Sequence, residues 1–274
     1  MPADLHIHST ASDGSLAPEE VVRQAGQAGL TAISLTDHDT VSGLAAALRA
    51  GAAAGLKVIP GIELNTDLAG DDIHMLGYCL DTESEVLLRQ IDDLRQARED
   101  RARLIIAKLA DLGMPLEYED VRRIAGRAAI GRPHIARALL SAGYSVGVTE
   151  AFERYLARGR PAYVPLHKLD PFLAIEIIRK ANGIPVLAHP GLARRDDLVA
   201  AMVDRGMLGL EVYYPFHTSG DLARYRDLCQ KYGLIMTGGT DYHGPGFKYP
   251  PLGTVTVPDE TVARLQEIAG KLRR

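Results

Sequence analysis

Short apolar runs alternate with amphipathic helical patterns along most of this 274-residue chain, and that rhythm restricts the fold more than any other feature. Residues 3–7 read as a strand, and Pro18 opens a helix that Gly29 ends. Residues 31–35 form the next strand pattern, followed by the polar turn Thr36-Asp37-His38-Asp39 and an Ala-rich helix over 42–54. Residues 57–59 and 61–64, then 73–78, continue the series. After the middle of the chain, 184–188, 209–212 and 234–237 are strands, each preceded by a helical pattern. Strands alternating with helices imply an α/β protein with a mostly parallel sheet. At this length a closed or distorted barrel leads, and an open doubly wound sheet comes second.

The middle of the chain breaks the rhythm. From about 83 to 161 the pattern is helical and charged, with the run Arg95-Gln96-Ala97-Arg98-Glu99-Asp100-Arg101-Ala102-Arg103, and no strand signal returns until 162–165. The expected division is therefore a barrel from residues 1–82 and 162–274, with 83–161 a helical insertion covering the active site.

Polar residues fall at the strand ends. His6 and His8, two apart on a strand, point to the same face. Asp13 follows in a Ser-Asp-Gly turn, His38 after the second strand, Glu63 at the third and His74 in the fourth. His189 ends the strand at 184–188, and Asp241 with His243 repeats the two-residue spacing beyond 234–237. The C-terminal ends of parallel barrel strands converge on one mouth, where active sites are built. Imidazoles and carboxylates together suit zinc, manganese or iron rather than thiolate-seeking ions. Nine such side chains exceed the needs of one ion and fit two or three, with a carboxylate bridging.

Composition narrows the alternatives. A net charge of -4 argues against a surface that grips long duplex DNA. Four Phe and no Trp make a stacking platform for single strands an unpromising main activity. Cys79 and Cys229 lack CxxC spacing and read as buried thiols in a reducing compartment. No basic segment leads into an apolar run at the N-terminus, and no stretch approaches the roughly 20 apolar residues of a membrane span. The expectation is a cytoplasmic protein without a membrane partner.

Asp4-Leu5-His6-Ile7-His8-Ser9 with Asp13-Gly14, then Thr36-Asp37-His38-Asp39, Gly61-Ile62-Glu63, Ala188-His189-Pro190-Gly191 and Gly239-Thr240-Asp241-Tyr242-His243-Gly244 resemble, in order, the motif blocks of the polymerase and histidinol phosphatase (PHP) family. His74-Met75-Leu76-Gly77-Tyr78, Gly131-Arg132-Pro133-His134-Ile135-Ala136-Arg137 and Glu211-Val212-Tyr213-Tyr214 narrow the likeness to stand-alone bacterial phosphoesterases. Those enzymes act on nucleoside 3',5'-bisphosphates and trim very short oligoribonucleotides. The resemblance implies a distorted seven-stranded (β/α) barrel with a helical insertion and up to three metals. Manganese is the first choice, with zinc or iron as alternatives. It places His6, His8, Glu63 and Asp241 on one ion and Glu63, His74 and His189 on a second. Asp13, His38 and His243 would hold the third.

In-line attack by a bridging hydroxide is the implied chemistry. Asp241 would orient the water or take its proton, and His134, His217 or a metal-bound water would protonate the leaving group. Arg98, Glu99, Asp100, Arg101, Arg132 and His134 are the candidate substrate contacts, because guanidinium groups bind phosphate bidentately. For Arg98 and Arg101, surface ion pairs with Glu99 or Asp100 are the competing reading. Tyr213 and Tyr214 either flank a base or pack, and His167 reads as an ordinary surface residue. The expected partner is a small phosphorylated nucleotide or short single-stranded RNA. A histidinol-phosphate phosphatase, a proofreading nuclease module, an amidohydrolase and a non-catalytic regulatory domain are the competing functions. The first would differ in the insertion, the second lacks an attached polymerase, the third lacks a lysine candidate, and the fourth would have lost ligands.

Overall fold

The structure is a computed structural model that describes residues 2–126, 128–166 and 168–273. The chain divides into two compact units, Met1–Gln90 with Lys168–Arg274, and Ile91–His167.

In the first unit the described residues form eight strands: β1 (Pro2–Ile7), β2 (Ala32–Leu35), β3 (Lys57–Leu68), β4 (Asp71–Tyr78), β5 (Ile184–Leu187), β6 (Gly209–Tyr213), β7 (Ile235–Gly238) and β8 (Val257–Pro258). They make one sheet in the order β7-β6-β5-β4-β3-β2-β1-β8. Beyond β7 the chain returns to β1: Ile7 bridges Tyr242, and His8 N–H donates to the Tyr242 carbonyl at 2.9 Å. That link brings the two ends of the sheet together as a nearly closed barrel. Seven strands were expected; the eighth is a two-residue segment antiparallel to β1, too short to show in an apolar pattern.

The expected parallel run is interrupted at β4, which pairs antiparallel with both β3 and β5. The cause is local. Ala69 and Gly70, both at positive φ (56° and 95°), join Leu68 to its partner Asp71. Two central residues with positive φ make the tight turn whose twist matches a hairpin. β4 therefore starts at the level where β3 ends, and its N-terminal half carries His74 toward the ends of the parallel strands.

Helices clothe the sheet. Helix Pro18–Gln27 starts with Pro at its first turn and two acidic residues, Glu19 and Glu20, against its positive end. With helix Leu44–Ala54 it buries Val21, Val22, Ala25, Leu44 and Ala47 against Ile7, Ile33 and Leu35. A second cluster packs Val262, Leu265 and Ala269 of helix Asp259–Leu272 with Leu5, Leu76, Tyr78 and Val186. Each fully buried Leu, Ile or Val contributes about 1.5–3 kcal/mol, so the strands are anchored well enough to hold precisely placed polar ends.

The second unit has its own core, with Ile105, Leu109, Val121, Ile135, Leu139 and Leu156 among its buried residues. The strand expected at 162–165 does not form; among the described residues this stretch is turn and coil. Ala162 is buried in the helical core, while the carbonyls of Tyr163 and Val164 accept from Lys108 Nζ and Arg101 Nε. Its apolar residues serve a helical core and its carbonyls serve side chains, so no ladder partner is needed. His167 lies outside the described residues. Among the described residues no helix is long and apolar enough to cross a membrane.

Candidate metal centre

Glu63 sits at the middle of a ring of imidazoles. β3 places it opposite Leu76, and the diagonal pair on the same face is His74, opposite Asn65. His74 Nδ1 and His189 Nε2 lie 2.9 and 3.0 Å from Glu63 Oε1. The other oxygen, Oε2, lies 3.2 Å from both His6 Nε2 and His8 Nε2 and 3.1 Å from His38 Nδ1. Asp241 Oδ1 is 3.1 Å from His8 Nε2 and 3.4 Å from His6 Nε2. Asp13 Oδ1 is 3.4 Å from His243 Nε2 and 3.8 Å from His8 Nδ1, and Asp13 Oδ2 is 3.9 Å from His38 Nε2.

Three groups emerge whose donor atoms lie within 4.8 Å of one another: His6, His8, Glu63 and Asp241; His38, Glu63 and His74; and His8, Asp13, His38 and His243. The groups share residues, so they form one centre.

These residues fit divalent ions on an observation independent of any family. His6 Nε2, both nitrogens of His8 and His38 Nδ1 are buried and lack a hydrogen-bond partner. A buried polar atom left unsatisfied costs about 1–3 kcal/mol, and here four gather at one point, facing carboxylates. Donor atoms about 3.1–3.4 Å apart are also the edges expected of a polyhedron with metal–ligand bonds of about 2.0–2.2 Å.

Electrostatics point the same way. Burial opposes a proton on His8, but the negative charges of Asp241 and Glu63 close to its ring outweigh it and push it up to about 10. Burial likewise opposes a proton on His74, and Glu63 and Asp72 raise it to about 9. Burial also opposes ionisation of Asp241, yet His6 and His8 hold it well below the usual carboxylate range. Carboxylate charge thus raises the proton affinity of His8 and His74 in the metal-free protein, whereas burial lowers His38 to about 4.

Supporting residues come from the same strands and loops. Asp37 accepts from Ser9 N–H at 2.7 Å, from Ser9 Oγ at 2.7 Å and from Ser12 Oγ at 2.6 Å, bracing the loop that carries Asp13. Asp4 accepts from Thr240 N–H at 3.0 Å, from Thr240 Oγ1 at 2.7 Å and from Gly253 N–H at 3.2 Å, fixing the approach to Asp241. Tyr214 Oη donates to Asp241 Oδ2 at 2.9 Å, so Tyr214 holds a carboxylate. Tyr249 stacks on His243 with ring centroids 4.6 Å apart. Glu211, fully buried, accepts from His6 Nδ1 at 2.9 Å and from His189 N–H at 2.8 Å. Sequence reasoning gave Glu211 no role of its own, although a charged residue inside the apolar run Gly209-Leu210-Glu211-Val212 is a signal of one.

His217 has both ring nitrogens engaged by the backbone. Nδ1 lies 2.9 Å from the Val212 carbonyl and Nε2 accepts from Gly191 N–H at 3.2 Å. A proton leaves His217 for a substrate only if one of these bonds breaks. In the second unit, His134 Nδ1 accepts from Gly131 N–H at 2.9 Å, which leaves the ring proton on Nε2. Burial together with the positive charges of Arg132 and Arg98 lowers Arg101 to about 10, so these three guanidinium groups lie close enough to repel. Arg132 also sits over the rings of Phe152 and Tyr163. Glu99 lies 3.7 Å from Arg122, and Asp100 accepts from Gln96 Nε2 at 2.9 Å. A separate cleft of about 490 Å³, lined by Phe172, Glu176, Arg179, Lys180, Arg205 and Leu272, contains none of the centre's residues.

Comparison with known proteins agrees with this chemistry. Residues 4–123 match the model of the PHP domain. The chain is 33% identical to the phosphoribosyl 1,2-cyclic phosphate 1,2-diphosphodiesterase of Eggerthella lenta, over 92% of its own length and 98% of that protein. It is 33% identical to the 5'-3' exoribonuclease Rnm of Salmonella typhimurium, over 88% and 85%. It is 31% identical to the 3',5'-nucleoside bisphosphate phosphatase of Chromobacterium violaceum, over 89% and 87%. A crystal structure from Bifidobacterium adolescentis, assigned as a candidate metal-dependent phosphoesterase, superposes with a TM-score of 0.86 at 30% identity, covering 97% of this chain and 96% of the other. With relatives of this kind aligned along almost all of its length, the chain belongs to the PHP domain family and is a metal-dependent phosphoesterase.

Proposed function

We propose that this protein removes the 3'-phosphate of nucleoside 3',5'-bisphosphates, such as adenosine 3',5'-bisphosphate, and acts more weakly on short 5'-phosphorylated oligoribonucleotides. The observation that carries the chemistry is the shared use of Glu63 by two of the three donor groups, with Asp241 beside it. The choice of substrate rests on the likeness to the bisphosphate phosphatase and the exoribonuclease. We assign His6, His8, Glu63 and Asp241 to one ion, Glu63, His74 and His189 to a second, and Asp13, His38 and His243 to a third. Two or three Mn²⁺ ions are our first choice, with Zn²⁺ or Fe²⁺ as alternatives.

Bound ions supply a polarised phosphoryl oxygen and a water acidified near neutral pH. The protein's own groups do the rest. Asp241 stays ionised, and with Oδ2 held by Tyr214 its Oδ1 is the acceptor we assign to the proton of the attacking water. Glu63 keeps five imidazoles in register around two oxygens. Arg98 and Arg101 on the helix Glu85–Asp111, with Glu99 and Asp100 beside them, and Arg132 and His134 on the helix Arg132–Ser141 are the groups we assign to the substrate's phosphate. His134 and His217 are the side chains we assign as candidate proton donors to the departing oxygen.

The second reading is hydrolysis of a sugar cyclic phosphate. It is favoured by the relative of that activity being matched over 98% of its length. The deciding experiment measures phosphate release by the manganese-loaded protein. The panel is adenosine 3',5'-bisphosphate, phosphoribosyl 1,2-cyclic phosphate, histidinol phosphate and a short 5'-phosphorylated RNA. Preferred turnover of the bisphosphate supports the proposal, and preferred turnover of the cyclic phosphate or of histidinol phosphate replaces it.

A further inference from the structure

Every ligand assigned above lies on or just beyond strands other than β6, yet β6 carries a charged residue at a fully buried position. Glu211 is fully buried, as are Gly209, Leu210 and Val212 around it. A lone carboxylate in such a place is expensive unless it is fully hydrogen-bonded. Both of its oxygens are used. Oε1 lies 2.9 Å from His6 Nδ1, and Oε2 accepts from His189 N–H at 2.8 Å.

We propose that Glu211 is a positioning residue that fixes the tautomer of His6 and the backbone of His189 at once, and so couples two of the ion-holding groups. An ionised carboxylate only accepts, so the single proton of neutral His6 is held on Nδ1. The lone pair then sits on Nε2, the atom without a hydrogen-bond partner, 3.2 Å from Glu63 Oε2 and 3.4 Å from Asp241 Oδ1. The second contact acts on strained backbone. His189 has φ 26° and ψ 59°, a region that a non-Gly residue enters at a cost of about 1–3 kcal/mol. It also precedes Pro190, which disfavours helical backbone in the residue before it. The bond from His189 N–H to Glu211 holds that conformation, and its ring reaches Glu63 Oε1 at 3.0 Å. One buried carboxylate therefore sets a donor on each side of Glu63. This inference rests on the metal reading of the centre and not on the choice of substrate.

Glutamine separates this role from ordinary packing. It keeps the size of Glu211 but replaces one acceptor with a donor. His189 N–H is backbone and cannot become an acceptor, so the amide oxygen must serve it. The amide N–H group then faces His6 Nδ1, which must give up its proton to Nε2 and lose its lone pair there.

The test uses the full chain, stripped with chelator and titrated with Zn²⁺ by calorimetry and with Co²⁺ by visible absorption. In Glu211→Gln the tightest binding steps are expected to weaken 10–100-fold and the Co²⁺ bands to change. The step assigned to Asp13, His38 and His243 should keep its affinity, and thermal unfolding of the metal-free form should shift little. If the variant matches the wild type, or loses every step equally, the inference is overturned. If Glu211→Gln does not fold, Glu211→Asp, which keeps both acceptors on a shorter stem, is titrated instead. Selective weakening of the same steps supports the role, and uniform weakening or none overturns it. A wild type that binds neither ion would fail the metal reading itself, a result distinct from any of these.

Discussion

At the residue scale the centre works through paired commitments: each functional atom is free because its neighbour is occupied. Asp241 Oδ2 is tied to Tyr214, and Oδ1 is left facing His6 and His8. Removing the carboxylate charge in Asp241→Asn should abolish turnover, a loss of at least roughly 10²–10⁴-fold in kcat, with circular dichroism unchanged. Tyr214→Phe removes only the orienting donor, worth about 1.5–3 kcal/mol for a bond to a charged group. Its kcat should therefore drop about tenfold or more while KM moves little, as steady-state kinetics on adenosine 3',5'-bisphosphate would show. A fall in KM affinity with kcat intact would instead mean that Tyr214 contacts the substrate. Nine of these polar residues were picked out in the sequence because they fall within apolar strand patterns or in the turns just beyond them. Glu211 and Tyr214 were harder to read for a physical reason: they bond to His6, His189 and Asp241, which come from distant parts of the chain, and no local spacing records that.

At the scale of elements, the sequence announces strands but not their direction. An apolar run such as 73–78 reads the same parallel or antiparallel, so the reversal of β4 was hidden in its turn. The signal was Ala69-Gly70, two small residues with positive φ where the chain must double back. β8 was invisible because two residues carry no period, and 162–165 misled because its apolar side chains belong to a helical core. The approach of β7 to β1 is the most exacting element contact. A Cβ at Gly239 would lie 2.4 Å from His6 N and 2.7 Å from both Asp4 Oδ1 and His6 Cβ. None of these atoms can yield cheaply, since all three belong to residues of β1 and Asp4 Oδ1 also holds Thr240. Gly239→Ala should destabilise the protein by about 1–3 kcal/mol, read from denaturant unfolding. It should also cost metal stoichiometry, because Asp241 and His243 follow directly. Normal metal content in a destabilised variant would show that the loop adjusts independently of β1.

For the whole molecule, metal and proton compete for one cluster of side chains, and the sign of that competition is fixed. In the metal-free protein His8 and His74 are raised to about 10 and about 9, and His6 well above its usual value. A base whose folded pKa is raised contributes stability that is fully present below its unfolded pKa of about 6.5. That contribution is lost as pH rises through the folded value. The other shifted groups near the centre do not oppose this window. Asp4, raised by burial to about 6, has finished titrating, and His38, lowered by burial to about 4, is neutral throughout. The metal-free protein should therefore lose thermal stability between pH 6.5 and 9. The loaded protein should behave in the opposite sense, because fewer protons then have to be displaced as the ions bind. The gap in Tm between loaded and stripped protein should widen with pH, and calorimetry in buffers of different ionisation enthalpy should find about three protons released as the centre fills, one each from His6, His8 and His74. A gap that stays constant, with no protons released, would mean that burial outweighs the carboxylates and keeps these imidazoles neutral before any ion arrives.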